Sequence, residues 1–346
     1  MADATRELTA LSKTRKQLHQ SGLEQYSLCG ERFRFRYIEG IRRPPSSYVV
    51  CGSAVDRGVN ADLNNKIVTQ ELLPLDAVQD IARDYVANKS EGIEPDEDEK
   101  GLSIEELVGK TTDKAVRLVK AHHEVAAPKL NPFRVARRFS ISLDKFFRQR
   151  ATELHSKEDD LDDRWEKRTT RRMAESLNAA ARDGWDLVGE QDLVEGTGDD
   201  KLDVSLPFAI RDLKTSKKSP QENAAKESEQ LSVYSLASLV IDGALPSLVA
   251  LDYLVDLKRG VEYKPIFSAR EQKDLLPTLN RIAAAVSGIQ QGVFVPIVQG
   301  AWQCDPRYCG YFHQCRYVKH PKSVTITSLS GVADNTKPEL VQIKTL

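Results

Sequence analysis

Alternation of apolar and polar positions predicts three strands in the middle of the chain. Residues 133–143 alternate along Phe-Arg-Val-Ala-Arg-Arg-Phe-Ser-Ile-Ser-Leu, and residues 185–195 and 208–215 are largely apolar runs of strand length. The stretch 196–200 between the last two is rich in turn residues. We therefore expect these two strands to be neighbours and to run antiparallel.

Helical spacing predicts the elements around these strands. We expect a helix over residues 52–66, a long, highly charged helix over residues 144–183, and an amphipathic packing helix over residues 275–291. Strands mixed with helices indicate an α/β fold, in which a central mixed sheet is flanked by helices. We expect a single domain over residues 1–346, with a helical insertion at about 144–183.

The composition is that of an ordinary globular chain, with 346 residues, 40% hydrophobic and 29% charged. No apolar run reaches the length of a bilayer span, and residues 1–20 lack the apolar stretch of a signal peptide. We therefore expect a cytoplasmic protein without a membrane partner. The formal net charge of -1 gives no global basic signature, so a nucleic-acid partner would be held by local patches.

Two local basic patches are present. The first mixes arginines with aromatic residues, as suits phosphate contact and base stacking: Arg32, Arg34, Arg36, Arg42 and Arg43 with Phe33, Phe35 and Tyr37. The alternative for this patch is a solvated helix face with an aromatic core side. The second lies in the predicted long helix: Arg164, Lys167, Arg168, Arg171 and Arg172 near Trp165. It could line a DNA channel, or it could be an exposed helix stabilised by ion pairs four residues apart.

Four of the five cysteines lie towards the two ends of the chain: Cys29, Cys304, Cys309 and Cys315. Thiols clustered in this way, without a secretory signal, indicate ligands for a metal or an iron-sulfur cluster more than disulfide partners. The alternative is a structural zinc held by three cysteines with Cys29 or His313 as the fourth ligand. Cys51 is left over and is expected to be an ordinary buried thiol.

A candidate site for metal chemistry lies on the second and third predicted strands. Asp212 and Lys214 are two residues apart and so project from one face, while Leu213 points the other way. If Asp192 on the neighbouring strand faces the same side, two carboxylates converge beside a lysine. Such a group can ligate a divalent cation and activate water. The alternative for Asp-x-Lys alone is a surface ion pair.

These motifs, in this order, resemble those of the RecB-like nucleases of the PD-(D/E)XK superfamily, especially their iron-sulfur members among phage and CRISPR-associated exonucleases. The resemblance runs from Tyr26 to Tyr317. The matching positions are Cys29, Gly52 with Asp56, Gly189 with Asp192, Asp212 with Lys214, Gln230 with Tyr234, and finally Cys304, Cys309 and Cys315. The resemblance implies a restriction-endonuclease-like core, with the N- and C-terminal segments joined at a [4Fe-4S] cluster held by the four cysteines. The cluster-binding C-terminal segment would span about 300–320.

The resemblance also implies site roles. Asp192 and Asp212, with Asp56 and the Leu213 carbonyl, would hold Mg²⁺ or Mn²⁺, and Lys214 would orient or deprotonate the attacking water. Gln230 and Tyr234, four residues apart on one helix face, would position the DNA strand; the alternative is a tyrosine packed in the core.

Departures from the family pattern leave three choices among carboxylates. Asp56 stands where the family commonly has a histidine, and it is either a ligand or a surface residue. Asp203 competes with Asp192 for the role of first carboxylate. We prefer Asp192, because Gly189 and the apolar residues around it match a buried strand. Glu190 is a further carboxylate near the expected metal, or a solvent-facing residue of a hairpin.

The expected function is that of a Mg²⁺- or Mn²⁺-dependent deoxyribonuclease. An exonuclease in DNA end processing, recombination or CRISPR or phage DNA metabolism is the first choice. The expected partner is DNA, as single strands or ends, with recombination or CRISPR proteins and a second copy of the chain as further candidates. The expected location is the cytoplasm of a bacterium, or of the host if the protein is encoded by a phage. The alternative function is a catalytically inactive DNA-binding or scaffold protein with a structural metal cluster.

Overall fold

The computed structural model describes residues 15–158, 160–196, 202–298 and 300–318, together with two short paired strands, Thr325–Ile326 and Val341–Gln342. These residues divide into two compact units. The larger unit contains the described residues up to Glu24 and Pro44–Val293, and the smaller unit contains Gln25–Arg43 and the described residues from Phe294 onward. That residues 1–346 form one domain stays a prediction.

A six-stranded mixed sheet forms the centre of the larger unit. Its strands are β1 (Lys16–His19), β2 (Pro132–Ser142), β3 (Trp185–Glu195), β4 (Ala209–Ser216), β5 (Leu248–Leu257) and β6 (Gly260–Ser268). Strand β3 pairs parallel with β1 and antiparallel with β2 and β4, while β4 pairs parallel with β5 and β5 antiparallel with β6. The three predicted strands are confirmed as β2, β3 and β4, and so is the antiparallel pairing of β3 with β4.

Helices make up much of the rest of the described chain. They are α1 (Gln20–Leu28), α2 (Gly30–Phe33), α3 (Ser47–Thr69), α4 (Leu75–Asn88), α5 (Ile104–Ala121), α6 (Asp144–Glu158), α7 (Arg164–Asp183), α8 (Ala224–Glu227), α9 (Glu229–Ile241) and α10 (Leu276–Gln290). The predicted helices over 52–66 and 275–291 are confirmed as α3 and α10. Within the part of the chain that the structure describes, no helix combines the length and apolar character needed to span a membrane.

The predicted single helix over 144–183 is wrong in its continuity, because the structure has two helices there. Helix α6 ends at Glu158, and Asp163 begins α7 by accepting hydrogen bonds from the backbone N–H groups of Trp165 and Glu166. An aspartate that satisfies the first free N–H groups of a helix fixes its start. The charged run therefore forms a pair of packed helices.

Helices pack on both faces of the sheet in the larger unit. Helices α3, α4 and α5 share one apolar core with it, which includes the buried side chains of Leu63 and Leu118. Full burial of each such leucine contributes about 1.5–3 kcal/mol. Leu213 packs against this core, while its strand neighbours Asp212 and Lys214 approach α9. Because successive residues of a strand point to opposite faces, α9 covers the other face.

Aromatic stacking holds together the smaller unit. Phe33 stacks on Phe294 and Phe35 on Tyr311, with ring centroids 6.4 and 5.2 Å apart. A Cβ at position 30 would lie 2.5 Å from the Val295 nitrogen, so this close approach of two backbones requires glycine. Phe33 and Phe35 are buried, whereas Arg36, Arg42 and Arg43 are exposed. The first basic patch thus has the aromatic core side of the alternative considered above, and phosphate contact by its exposed arginines stays a prediction.

Candidate active site

Strands β3 and β4 separate at the candidate site. They pair only from Leu193 opposite Arg211 to Glu195 opposite Ala209. One residue beyond the last pair, the carboxylate Oδ2 of Asp192 accepts a hydrogen bond of 2.9 Å from the backbone N–H of Leu213. The Asp192 side chain therefore replaces a backbone partner of β4 and holds a carboxylate in the gap between the strands.

The regular alternation of β3 breaks at Asp192. Gln191 donates hydrogen bonds to the Tyr234 carbonyl and Ser238 hydroxyl of α9, whereas Leu193 packs with α3 to α5 on the other face. Residues two apart on a regular strand would share a face. On β2, between the partners of Leu193 and Gln191, Ala136 has a φ of 49°, a left-handed backbone that costs about 1–2 kcal/mol outside glycine. This irregularity turns Asp192 towards β4.

Gly189, three residues before Asp192, has a steric reason to be glycine. A Cβ there would lie 2.5 Å from the ring of Phe139, its partner on β2. The Phe139 ring in turn packs edge-on against Tyr234, with centroids 6.1 Å apart. In the Gly-x-x-Asp motif, the glycine thus leaves room for the Phe139 ring, and the aspartate three residues later turns into the gap between β3 and β4.

A buried ion pair lies beside Asp192. The Lys214 Nζ is 2.6 Å from Oδ2 of Asp212, whose side chain is only 1% exposed, while that of Lys214 is 36% exposed. Neither oxygen of Asp212 accepts a well-oriented hydrogen bond from the described residues. The interaction of Asp212 with Lys214 is therefore mainly electrostatic. A buried carboxylate with too few hydrogen-bond donors destabilises the fold, unless another cation binds to it.

Helix α9 fixes the position of Lys214. The lysine Nζ donates a 2.7 Å hydrogen bond to Oε1 of Gln230, and Nε2 of Gln230 donates another of 2.7 Å to the hydroxyl of Tyr234. The spacing of four residues on a helix brings these two side chains together. Tyr234 is 2% exposed, so it is both a core residue, as the alternative held, and part of this polar chain.

Asp56 on α3 lies near the carboxylates. Its charge raises the pKa of Asp192, and the charges of Glu190 and Asp212 raise its own. Glu190 is exposed enough to pair with Arg138, its partner on β2, at 3.0 Å. Asp203 accepts hydrogen bonds from Ser205 in a turn, and no contact given by the structure joins it to this group. The structure thus brings Asp56, rather than Asp203, near the site.

Burial dominates the electrostatics of the site. It raises the pKa of Asp192, and the charges of Asp212 and Asp56 raise it further; burial also raises the pKa of Asp212. Burial alone would lower the pKa of Lys214, but the charge and the hydrogen bond of Asp212, together with the charge of Asp192, outweigh this effect and raise it. Burial likewise raises the pKa of Tyr234. In the metal-free protein the lysine therefore keeps its proton, and Lys214 and Tyr234 offset only part of the cost of burying the Asp212 carboxylate.

The sequence interpretation missed a second buried polar group in the same unit. Arg211 pairs with Asp252 at 2.8 Å and with Glu195, and Tyr263 donates a 3.0 Å hydrogen bond to Asp252. A cavity lined by Arg211 and Asp252 also reaches Asp56 and Asp192. The sequence signal for this group was Asp252, which lies within the apolar run 248–255. A charge in such a run is expected to be buried, and a buried charge needs a partner.

All four predicted cysteine ligands line one cavity of the smaller unit: Cys29, Cys304, Cys309 and Cys315. None forms a disulfide, and the Cys29 sulfur accepts a hydrogen bond of 3.4 Å from the Ile297 backbone N–H. Arg32 lines the same cavity, and its buried Nε has no hydrogen-bond partner among the described residues. Burial raises the pKa of the Cys304 and Cys309 thiols, and the Arg32 charge opposes this.

No three His, Cys, Asp or Glu side chains within the described ranges lie close enough to share a metal ion. This holds for the cysteines of the cavity and for the carboxylates of the larger unit alike. The structure therefore brings each predicted set into one neighbourhood without placing three of its side chains at ligand spacing. Leu213, whose carbonyl was a predicted ligand, lies beside Asp192 through its N–H group.

Two carboxylates and a lysine thus lie where two antiparallel strands separate, and carboxylate oxygens can ligate a divalent cation that activates water. The chain belongs to the PD-(D/E)XK nuclease superfamily, whose family model matches residues 17–316. Membership suggests a metal-dependent nuclease.

Other comparisons add little. No curated protein matches the chain. A solved structure titled "Crystal structure of SSO0001" aligns with a TM-score of 0.31 and 10% identity, over 92% of this chain and 97% of that chain. At this TM-score the alignment carries no conclusion.

A prediction follows from the raised pKa of Asp56, which burial shifts from 3.8 to about 6. Below pH 3.8 the folded and unfolded states both hold the proton, and above pH 6 both have lost it, so the stability that the proton gives is lost as pH rises between these values. We expect the free energy of unfolding of the metal-free protein to fall over this range by less in Asp56→Asn than in the wild type. The difference would be at most about 3 kcal/mol.

The measurement is urea unfolding of both proteins at pH 4 and pH 7.5 without divalent cation. Asp76→Asn, which changes an exposed carboxylate, is the matched control and should follow the wild type. Identical pH dependence in Asp56→Asn and the wild type would contradict the predicted linkage.

Proposed function

We propose that the protein is a deoxyribonuclease of the RecB-like subdivision that uses Mg²⁺ or Mn²⁺ to hydrolyse phosphodiester bonds, acting as an exonuclease at DNA ends. The observation that carries this proposal is the meeting of Asp192, Asp212 and Lys214 where β3 and β4 separate. We place this activity in the cytoplasm, in DNA end processing or recombination.

The residues present fit a divalent cation. The buried oxygens of Asp212 lack well-oriented donors, and Asp192 faces the same gap. Asp192 and Asp212 would hold the ion, with Asp56 and the Leu213 carbonyl as the further ligands proposed. When bound, it would polarise the scissile phosphate and lower the pKa of a bound water. Hard oxygen ligands of this kind favour Mg²⁺ or Mn²⁺.

Lys214 would act as a charged group. Its raised pKa keeps the amine protonated in the metal-free protein, so it would donate hydrogen bonds to the attacking water and offset charge on the phosphate. This favours the orienting role over proton abstraction. Gln230 accepts from Lys214 and donates to Tyr234, which would hold the amine towards the gap and leave the strand-facing part of α9 to position DNA.

For the smaller unit we propose a [4Fe-4S] cluster held by Cys29, Cys304, Cys309 and Cys315. Support comes from the single cavity that the four thiols line, the N–H donor to the Cys29 sulfur and the Arg32 charge beside them. Hydrogen bonds to sulfur and nearby positive charge both stabilise a cluster of thiolates. Zinc is the alternative, held by Cys304, Cys309 and Cys315 with either Cys29 or His313 as the fourth ligand.

Replacement of Lys214 by methionine tests the function. Methionine keeps much of the length of the side chain but removes its charge, so we expect cleavage of end-labelled DNA with Mg²⁺ or Mn²⁺ to fall about 100-fold or more. The position of the label reports the polarity of digestion. Lys217→Met is the matched control, because Lys217 is an exposed lysine paired with Asp98 at 2.7 Å.

Equal cleavage by the wild type and Lys214→Met would contradict the proposed role of the lysine. No cleavage of single- or double-stranded DNA by the wild type with either cation would instead support the alternative of an inactive DNA-binding or scaffold protein.

A further inference from the structure

The outward face of α7 carries a row of arginines that the candidate active site does not use. Arg164, Arg168 and Arg172 are spaced four residues apart and are all exposed, and Trp165 beside them is 64% exposed. We call these four residues the arginine stripe. They belong to the helical segment that the sequence marked as a second basic patch.

Geometry places the arginine stripe opposite the packed side of its helix. At about 100° per residue, the three arginines fall within an arc of about 80°, and Trp165 lies at its edge. Four buried residues of α7 lie away from this arc, and Ser176 lies about 20° beyond Trp165; the four are Ala174, Leu177, Ala180 and Ala181. The stripe therefore faces solvent, where packing in the larger unit gives it no structural task.

Ion pairing does not account for the stripe. The alternative considered from the sequence was a helix stabilised by pairs four residues apart. Among the ion pairs of the described residues, however, none includes Arg164, Arg168 or Arg172, and only their neighbour Arg171 pairs, with Glu158 of α6. Like charges four residues apart instead destabilise a helix by about 0.2–0.5 kcal/mol per pair. Repulsion within the stripe thus destabilises the fold slightly, and no ion pair among the described residues offsets it.

We propose that the arginine stripe binds the backbone of a single-stranded DNA segment, with a base stacked on Trp165. Four residues of helix rise about 6 Å, close to the rise of two nucleotides along one strand, so successive arginines can meet every second phosphate. Arginines beside an exposed aromatic ring are the combination that single-stranded nucleic acid binds without sequence preference. The inference rests on the proposed function for its ligand, since DNA would be the substrate.

The test measures binding rather than cleavage. Anisotropy of a fluorescein-labelled dT25 oligonucleotide is followed with the full chain, without added divalent cation, over about 50–300 mM salt. The test variant is Arg164→Gln/Arg168→Gln/Arg172→Gln. The matched control is Lys89→Gln/Lys110→Gln/Lys120→Gln, which removes the same three charges from exposed positions on or next to α4 and α5.

We expect the stripe variant to bind at least about tenfold more weakly at low salt. The slope of log affinity against log salt should also lose about 2, because each single-strand phosphate contact contributes about 0.7. Trp165→Ala should weaken binding about 5- to 100-fold, and Trp165→Phe, which keeps an aromatic face, should lose much less. The control triple variant should keep the wild-type slope.

The inference fails if the stripe variant and the control triple show the same affinity and slope. It also fails if the stripe variant keeps its affinity for dT25 but loses affinity for phosphatidylserine vesicles, because the stripe would then serve a membrane. Cleavage assays separate the two proposals. Binding through the stripe without any cleavage overturns only the nuclease function, and cleavage with unaltered dT25 binding overturns only the stripe.

Discussion

Asp212→Asn is expected to lower the rate of DNA cleavage by about 1,000-fold or more while leaving the fold intact. Asparagine keeps the shape of the side chain but removes the charge that would ligate the cation, and metal-assisted stabilisation is worth several kcal/mol, or tenfold for each 1.36 kcal/mol. Because Asp212 is buried and its charge raises the pKa of Asp192, removal of that charge relieves repulsion between the carboxylates, which should offset the loss of the ion pair with Lys214.

Two measurements are needed for this variant. Single-turnover cleavage of a labelled DNA with Mg²⁺ or Mn²⁺ reports activity, and thermal unfolding without divalent cation reports stability, which should be equal to or above that of the wild type. Asp203→Asn is the matched control, since Asp203 was the rival carboxylate and lies in a turn with Ser205; it should cleave normally. Loss of activity in Asp203→Asn with full activity in Asp212→Asn would reverse the assignment.

Cys309→Ala is expected to abolish binding of iron and to unfold the smaller unit. Cys309 is 8% exposed in the cavity that the other three cysteines line, and the proposed metal group would add folding free energy to this unit beyond that of its aromatic packing. Structural Zn²⁺ contributes about 10–16 kcal/mol in zinc-finger peptides, so loss of one ligand of a metal site should lower the stability of this unit strongly.

Anaerobically prepared protein provides the measurement, by its brown colour, its iron and zinc content, and the susceptibility of residues 294–318 to proteolysis. Cys51→Ala is the matched control, because Cys51 is equally buried but lies in the core with α3. If the wild-type protein contains zinc and no iron, the zinc site is supported in place of the cluster. Wild-type protein with neither metal would remove the proposal altogether.

Much of the central sheet could be predicted from the sequence. Strong alternation and apolar runs located β2, β3 and β4, and a turn-rich connection indicated that β3 and β4 are antiparallel. Strand β1 at Lys16–His19 was not predicted, because four residues give too little periodicity. Strands β5 and β6 were not predicted either, although residues 248–255 form an apolar run of strand length. The break between α6 and α7 depended on one capping aspartate, Asp163, within a run of other charges.

Site geometry could be predicted only in part. The period of a strand places Asp212 and Lys214 on one face, and a helical period places Gln230 beside Tyr234. The turn of Asp192 into the gap depends instead on an irregularity opposite Ala136, whose left-handed backbone no local pattern indicates. Asp252 is buried and pairs with Arg211. This pairing likewise depends on contact between strands that are far apart in the sequence.

The negative charge between β3 and β4 should make the stability of the protein depend on the concentration of divalent cation. Without a cation, the fold must hold Asp192 and Asp212 together at its own expense, and a cation that satisfies both would give this free energy back to the native state. The loaded protein should then outlast the empty one on heating or storage. A strong chelator should therefore leave the protein in its least stable, metal-free form.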